Sequence, residues 1–160
     1  MPQHARLTTD QQQALAGVLD EIVPPSADGR LPGAGSLGIA ETFGEKAELV
    51  PILAAGLGAL GKIARESGAA DFLDLPREAR RPALEATGKE APAFLPMLVA
   101  LTLMAYYQHG RVREALGLEG RPPFPLGYAV PPTDFSILEP VRLRAPFYRL
   151  PPGEGNGGQR

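Results

Sequence analysis

From about Gly117 onward the chain packs half of its eighteen prolines into one stretch: Pro122, Pro123, Pro125, Pro131, Pro132, Pro140, Pro146, Pro151 and Pro152. Proline fixes φ and removes a backbone donor, so neither a helix nor a central strand is expected to run through this segment. The same stretch holds Phe124, Tyr128, Phe135, Phe147 and Tyr148, half of all the aromatic residues. A solvated linker has no use for large rings. Each ring buries enough area to dominate a contact, so these rings require an apolar surface, either the chain's own body or a partner.

A chain of 160 residues suits one domain burying roughly 70% of its unfolded surface. The net charge of -2 creates no field for nucleic acid or anionic lipid. Arg77, Arg80 and Arg81 form the densest basic group, but Glu78 and Glu85 sit among them, and the group reads as a solvated helix face. Cysteine is absent, which removes disulfides, thiolate chemistry and sulfur ligation together. The opening residues reach the first helical signal without an apolar signal core or twin-arginine pair, so no export signal is expected. The apolar run from Phe94 to Tyr107 is too short for the roughly twenty residues of a bilayer span and reads as a buried core helix.

Apolar spacing predicts an all-α body. Thr8 or Thr9 caps a first helix, with Gln11 and Gln12 as reciprocal partners, and Leu15, Val18, Leu19 and Ile22 form its stripe until Pro24 and Pro25 end it. Residues 24–36 read as an irregular, exposed connection, long enough to suggest a function or a partner. A short helix over 37–43 leads into a longer one over 45–67, with Pro51 tolerable only near its first turn. A charged helix over 75–86 follows, then a helix over 92–107 that is apolar on nearly every side and should lie at the centre.

Within the long helix, Gly56, Gly58 and Gly61 match the G-x-G-x-x-G dinucleotide fingerprint, in which glycines seat a pyrophosphate on a helix N-terminus. Pro51 would fall inside the strand that must precede it, and no further strands follow, so the context fails. The glycines read instead as sites of close helix packing, since each costs about 1 kcal/mol of helix stability relative to alanine. Catalytic constellations are equally thin. His4 sits at the terminus, and His109 follows Tyr106 and Tyr107 at a helix end, where capping explains it. Glu41, Glu45 and Glu48 have no histidine near them and read as surface charges, and Asp71 and Asp74 read as a loop and a cap. No catalytic, cofactor-binding or metal-binding residues are assigned.

A set of short motifs then occurs in order: Leu7-Thr8, Asp20-Glu21-Ile22-Val23-Pro24, Pro32-Gly33-Ala34, Gly38-Ile39, Leu101 to Tyr107, and Gly127-Tyr128. This order resembles the small subunit, called subunit 3 or the gamma subunit, of gluconate 2-dehydrogenase and related bacterial sugar dehydrogenases, over Leu7 to about Tyr128. The resemblance implies a non-catalytic helical subunit bound to a large flavoprotein of the glucose-methanol-choline (GMC) type, which holds FAD and oxidises a sugar or polyol. A cytochrome c subunit often accepts the electrons. Many relatives carry a twin-arginine signal and escort the flavoprotein to the periplasm; this N-terminus lacks that signal. A cytoplasmic location is therefore expected, or a periplasmic one where a signal was removed or the partner carries one. Met104-Ala105 also stands where the family commonly has Glu-Gly before the paired tyrosines.

The expected organisation is a helical body over 1–116 of about five helices, an extended partner-binding arm over 117–152 and a flexible tail over 153–160. Proline-stiffened backbone loses less entropy on docking, and aromatic residues are preferred anchors. Phe124, Tyr128, Phe135, Phe147 and Tyr148 are the expected partner-binding residues, with Tyr106 and Tyr107 as weaker candidates. Phe124 and Tyr128 fit equally well folded back on the chain's own helices. Two other readings remain: an independent helical adaptor or chaperone for another client, and a small nucleotide-binding enzyme built on Gly56, Gly58 and Gly61.

Overall fold

A computed structural model describes residues 6–122 and 124–145. Among these residues the regular structure is entirely helical, with seven α-helices and no strand. The chain divides into two units, Met1–Pro122 and Pro123–Arg160. Six of the helices belong to the first: α1 (Thr9–Ile22), α2 (Ile39–Gly44), α3 (Val50–Glu66), α4 (Arg77–Ala86), α5 (Phe94–Gln108) and α6 (Gly110–Ala115).

Helix α1 starts where its capping box dictates. The Gln11 amide donates to Thr8 Oγ1 at 3.2 Å while the Thr8 amide donates to Gln11 Oε1 at 2.9 Å, satisfying two otherwise orphaned donors. Its buried stripe is Ala14, Leu15, Val18 and Leu19. Pro51 lies in the first turn of α3, so that helix begins at Val50 rather than Glu45. The core closes around Leu15, Val18, Leu19, Leu53, Leu60, Phe72, Phe94 and Leu98, each at most 1% exposed. A chain that encloses this many large side chains has a body able to hold itself together.

The connection over residues 24–36 departs from expectation. Its first half is largely exposed, but Gly33 and Ala34 are buried, and a 3-10 turn spans Ala34–Leu37. Three bonds fix it. The Ala34 amide donates to the Val23 carbonyl at 2.9 Å, the Gly35 amide to Asp20 Oδ1 at 2.8 Å, and the Tyr106 hydroxyl to the Pro32 carbonyl at 2.9 Å. A Cβ on Gly35 would collide with the Ala16 carbonyl, so the turn can press against α1 only because that residue is glycine. The second half of the segment is thus tied to the body by its own bonds.

Helix α5 corrects a second expectation. It is not enclosed on every side: Phe94, Leu98, Thr102 and Tyr106 form a buried stripe at intervals of four, while Leu103, Met104 and Tyr107 are 40%, 60% and 56% exposed. The Thr102 hydroxyl donates to the Leu98 carbonyl at 2.6 Å, which satisfies its burial in an apolar helix. Across from it, the α3 backbone at Gly56 meets the Phe94 ring so closely that a Cβ there would overlap the ring. Gly56 is thus a close-approach glycine, whereas a Cβ on Gly58 would meet nothing within 4 Å.

Candidate partner-binding surface

Among its described residues the C-terminal unit contains no buried side chain. Its described residues contain a 3-10 turn, Phe135–Leu138, followed by a four-residue helix, α7 (Glu139–Arg142). This helical turn was not expected from so many prolines. Pro140 is accommodated because it sits in the first turn of α7, where a missing amide costs no bond. Asp134 caps the turn: the Ser136 amide donates to its Oδ1 at 2.9 Å, and hydrogen bonds from the Ser136 hydroxyl and amide hold the Asp134 carboxyl below the usual carboxylate range.

None of residues 124–145, other than through local turns of this kind, is held by burial: every described position there is exposed. Phe124, Phe135 and Tyr128 are 85%, 60% and 38% exposed, with Leu126, Val130, Ile137 and Leu143 also open to solvent. Exposed apolar residues scattered singly need no explanation, but here they follow one another along a single short segment. Phe147 and Tyr148 lie outside the described residues.

The two candidate tyrosines of α5 separate. Their rings meet edge to face, with centroids 5.3 Å apart and planes at 89°. Tyr107 presents its ring to solvent, but Tyr106 is 2% exposed and spends its hydroxyl on Pro32, so it belongs to the core and offers a partner no ring. Burial, with a smaller contribution from Tyr107, raises the Tyr106 phenol above its ordinary pKa.

Residues singled out for chemistry have structural partners. His109 ends α5 and caps α6, its Nδ1 accepting from the Arg111 amide at 3.3 Å. Asp71 and Asp74 form a capping box on a 3-10 turn, Phe72–Asp74. Among the described residues, no group of three or more His, Cys, Asp or Glu side chains is placed to hold a metal ion. The glycine motif lies inside α3, with Gly58 and Gly61 lining an open groove beside Asp10, Arg65 and Asp71. That is mid-helix, without the strand-to-helix turn that seats a pyrophosphate. His4 lies outside the described residues.

Arg80 differs from the solvated face expected of the arginine group. Its Nη2 donates to the Leu73 carbonyl at 2.7 Å and its Nε to the Leu75 carbonyl at 3.1 Å; Nη1 pairs with Glu21 Oε1 at 3.3 Å, and the guanidinium lies over the Phe72 ring at 5.8 Å. One planar fork therefore ties the loop before α4 to α1, a task for which lysine lacks the geometry. Arg81 stays on the surface, paired with Glu85 at 3.1 Å.

Sequence reasoning passed over Arg80, the bond from Gly35 to Asp20, and the open side of α5. The motif order around Asp20 and Pro32 was a signal for the second of these. A family model described as Gluconate 2-dehydrogenase subunit 3 matches residues 9–117. The match stops where the aromatic segment starts, so the body alone carries it. No curated protein and no solved structure matches the chain.

Proposed function

This chain belongs to the gluconate 2-dehydrogenase subunit 3 family, and is thus related to a subunit of a dehydrogenase complex; from that premise we propose that it is a non-catalytic small subunit that binds, stabilises and assembles a large FAD-dependent sugar or polyol dehydrogenase of the GMC type. In this reading FAD and the chemistry reside in the large subunit, and the C-terminal segment is the arm that engages it. The observation that carries the reading is the exposure of Phe124, Tyr128 and Phe135 in a unit whose described residues are all open to solvent. Rings of this size contribute strongly to binding once desolvated in a partner's pocket.

The body plays a different part. Its helices and the fixed connection over residues 24–36 make a scaffold from which the arm extends in sequence, and the substrate is selected in the partner. A cytochrome c subunit downstream would receive the electrons. The test is co-expression with the flavoprotein subunit, comparing the full chain with a chain truncated after Gly120. The expected result is a stable complex for the full chain and none for the truncated one, whose circular dichroism remains helical. A truncated chain that still forms the complex refutes the arm; a full chain that forms none, and is a well-behaved monomer by itself, favours an adaptor for another client.

A further inference from the structure

The open side of α5 is the second place where apolar surface lacks cover. Pro96, Ala100, Leu103, Met104 and Tyr107 recur at intervals of three and four, which aligns them along one face of the helix, opposite the buried stripe of Phe94, Leu98, Thr102 and Tyr106. Every one of the five is exposed. A soluble helix normally turns charged residues outward, but α5 contains no charged residue from Phe94 to Gln108. Its outer face is uncharged, apolar and aromatic at one end, the composition of the core of a protein contact.

We infer that this face of α5 is a second docking surface for the dehydrogenase subunit, used together with the C-terminal arm. The inference rests on the reading proposed above. What identifies the occupant is continuity: among the described residues, all the exposed large hydrophobic side chains except Leu73 fall between Leu103 and Leu143, running from α5 through Leu116 and Leu118 into the arm. One unbroken stretch of chain therefore carries both surfaces. Size argues the same way. Five side chains fall well short of the roughly 20–30 residues a side of a stable interface, so the stripe cannot hold a second copy of this chain by itself. Joined to the arm, it becomes one half of a bivalent contact, in which binding of one part raises the effective concentration of the other. Family membership implies a partner dehydrogenase subunit in a complex, which such a surface requires.

The experiment uses the full chain and the flavoprotein subunit with which the wild type co-purifies. Leu103→Glu combined with Met104→Glu places two charges on the open face without touching the buried stripe, and Met104→Lys is a milder variant of opposite sign. Affinity for the flavoprotein is expected to fall about tenfold or more in both, with helicity and melting temperature unchanged. Unchanged affinity in both variants overturns the inference while leaving the arm intact. A wild-type chain that dimerises alone, with variants that become monomeric yet bind the flavoprotein normally, also overturns it and assigns the face to self-association. Absence of any wild-type complex sinks the underlying reading and the inference with it. If the double variant loses helicity, the single Met104→Lys variant decides.

Discussion

The helical body and the C-terminal segment contain the same kinds of side chain and put them to opposite use. In the body, Phe72 and Phe94 are 1% and 0% exposed; in the segment, Phe124 and Phe135 are 85% and 60% exposed. Hydrophobicity alone does not decide burial. The body's rings sit on or beside helices that bring other apolar stripes within reach, whereas the prolines around Phe124 and Phe135 prevent helices long enough to build an opposing surface. The difference separates two properties that usually overlap. Folding stability should reside in the enclosed side chains of the body, and binding, on the proposed reading, in the exposed ones between Leu103 and Leu143, the first of which lie on the body's own helix α5.

The largest test of that separation is Phe94→Ala. Removing a fully buried ring that packs against the α3 backbone should cost about 3–5 kcal/mol, read from the midpoint of urea denaturation. A loss under about 1 kcal/mol would mean that the core collapses freely around the site and that the body is looser than its packing indicates. Next in size is Gly56→Ala, which should destabilise by about 1–3 kcal/mol, because the added methyl overlaps a ring with no room to retreat.

Tyr106→Phe probes the staple between α5 and the 24–36 connection. Losing the bond to the Pro32 carbonyl should cost about 0.5–1.5 kcal/mol at neutral pH. The same variant has a pH signature. The folded phenol's pKa lies above its ordinary value of 10.0, so its stabilising contribution is fully present below pH 10 and is lost as pH rises through the folded pKa. Tyr106→Phe should therefore flatten the alkaline decline in stability; a decline of equal slope would place the effect on other groups.

Gly58→Ala should carry the opposite sign to Gly56→Ala, stabilising α3 by about 0.5–1 kcal/mol, since the new methyl meets open space and helix propensity improves. Equal effects at the two positions would show that the α3–α5 approach does not depend on Gly56. The smallest expected effect is that of Phe135→Ala, within about 0.5 kcal/mol of wild type, because an exposed ring has little to lose on unfolding. A cost above about 1 kcal/mol would mean that the C-terminal unit contributes to folding after all and would erase the contrast between the two regions.

The helices were legible because their signals are local. Thr8 or Thr9, with Gln11 and Gln12, placed the start of α1 to within a residue, and the structure selects Thr8 with Gln11; the stripe of Leu15, Val18, Leu19 and Ile22 marked its buried face, and Pro51 limited where α3 could begin. The helical setting of the glycine motif was legible too, since the sequence pattern offers no strands around it. The open face of α5 was not. A helix that is apolar all round gives no periodic cue to which side is covered, and only the placement of α3 and the connection over residues 24–36 decided that Tyr106 turns inward and Tyr107 outward. Arg80 was misread for a related reason: the carbonyls of Leu73 and Leu75 and the Glu21 carboxylate converge on it only once the loop before α4 has folded back onto α1.

By itself the sequence determined an all-α body, the start of its first helix to within a residue, and an aromatic, proline-rich C-terminal stretch that no long helix could absorb, because capping, periodicity and proline act over a few residues. Only the tertiary structure decided which member of each pair does which work: Gly56 rather than Gly58 in close contact, Tyr106 rather than Tyr107 in the core, Arg80 rather than Arg81 as the tie. Members of each pair differ by one or two positions along a helix, a rotation of roughly 100° per residue, and what meets each side chain after that rotation comes from residues far away in the chain.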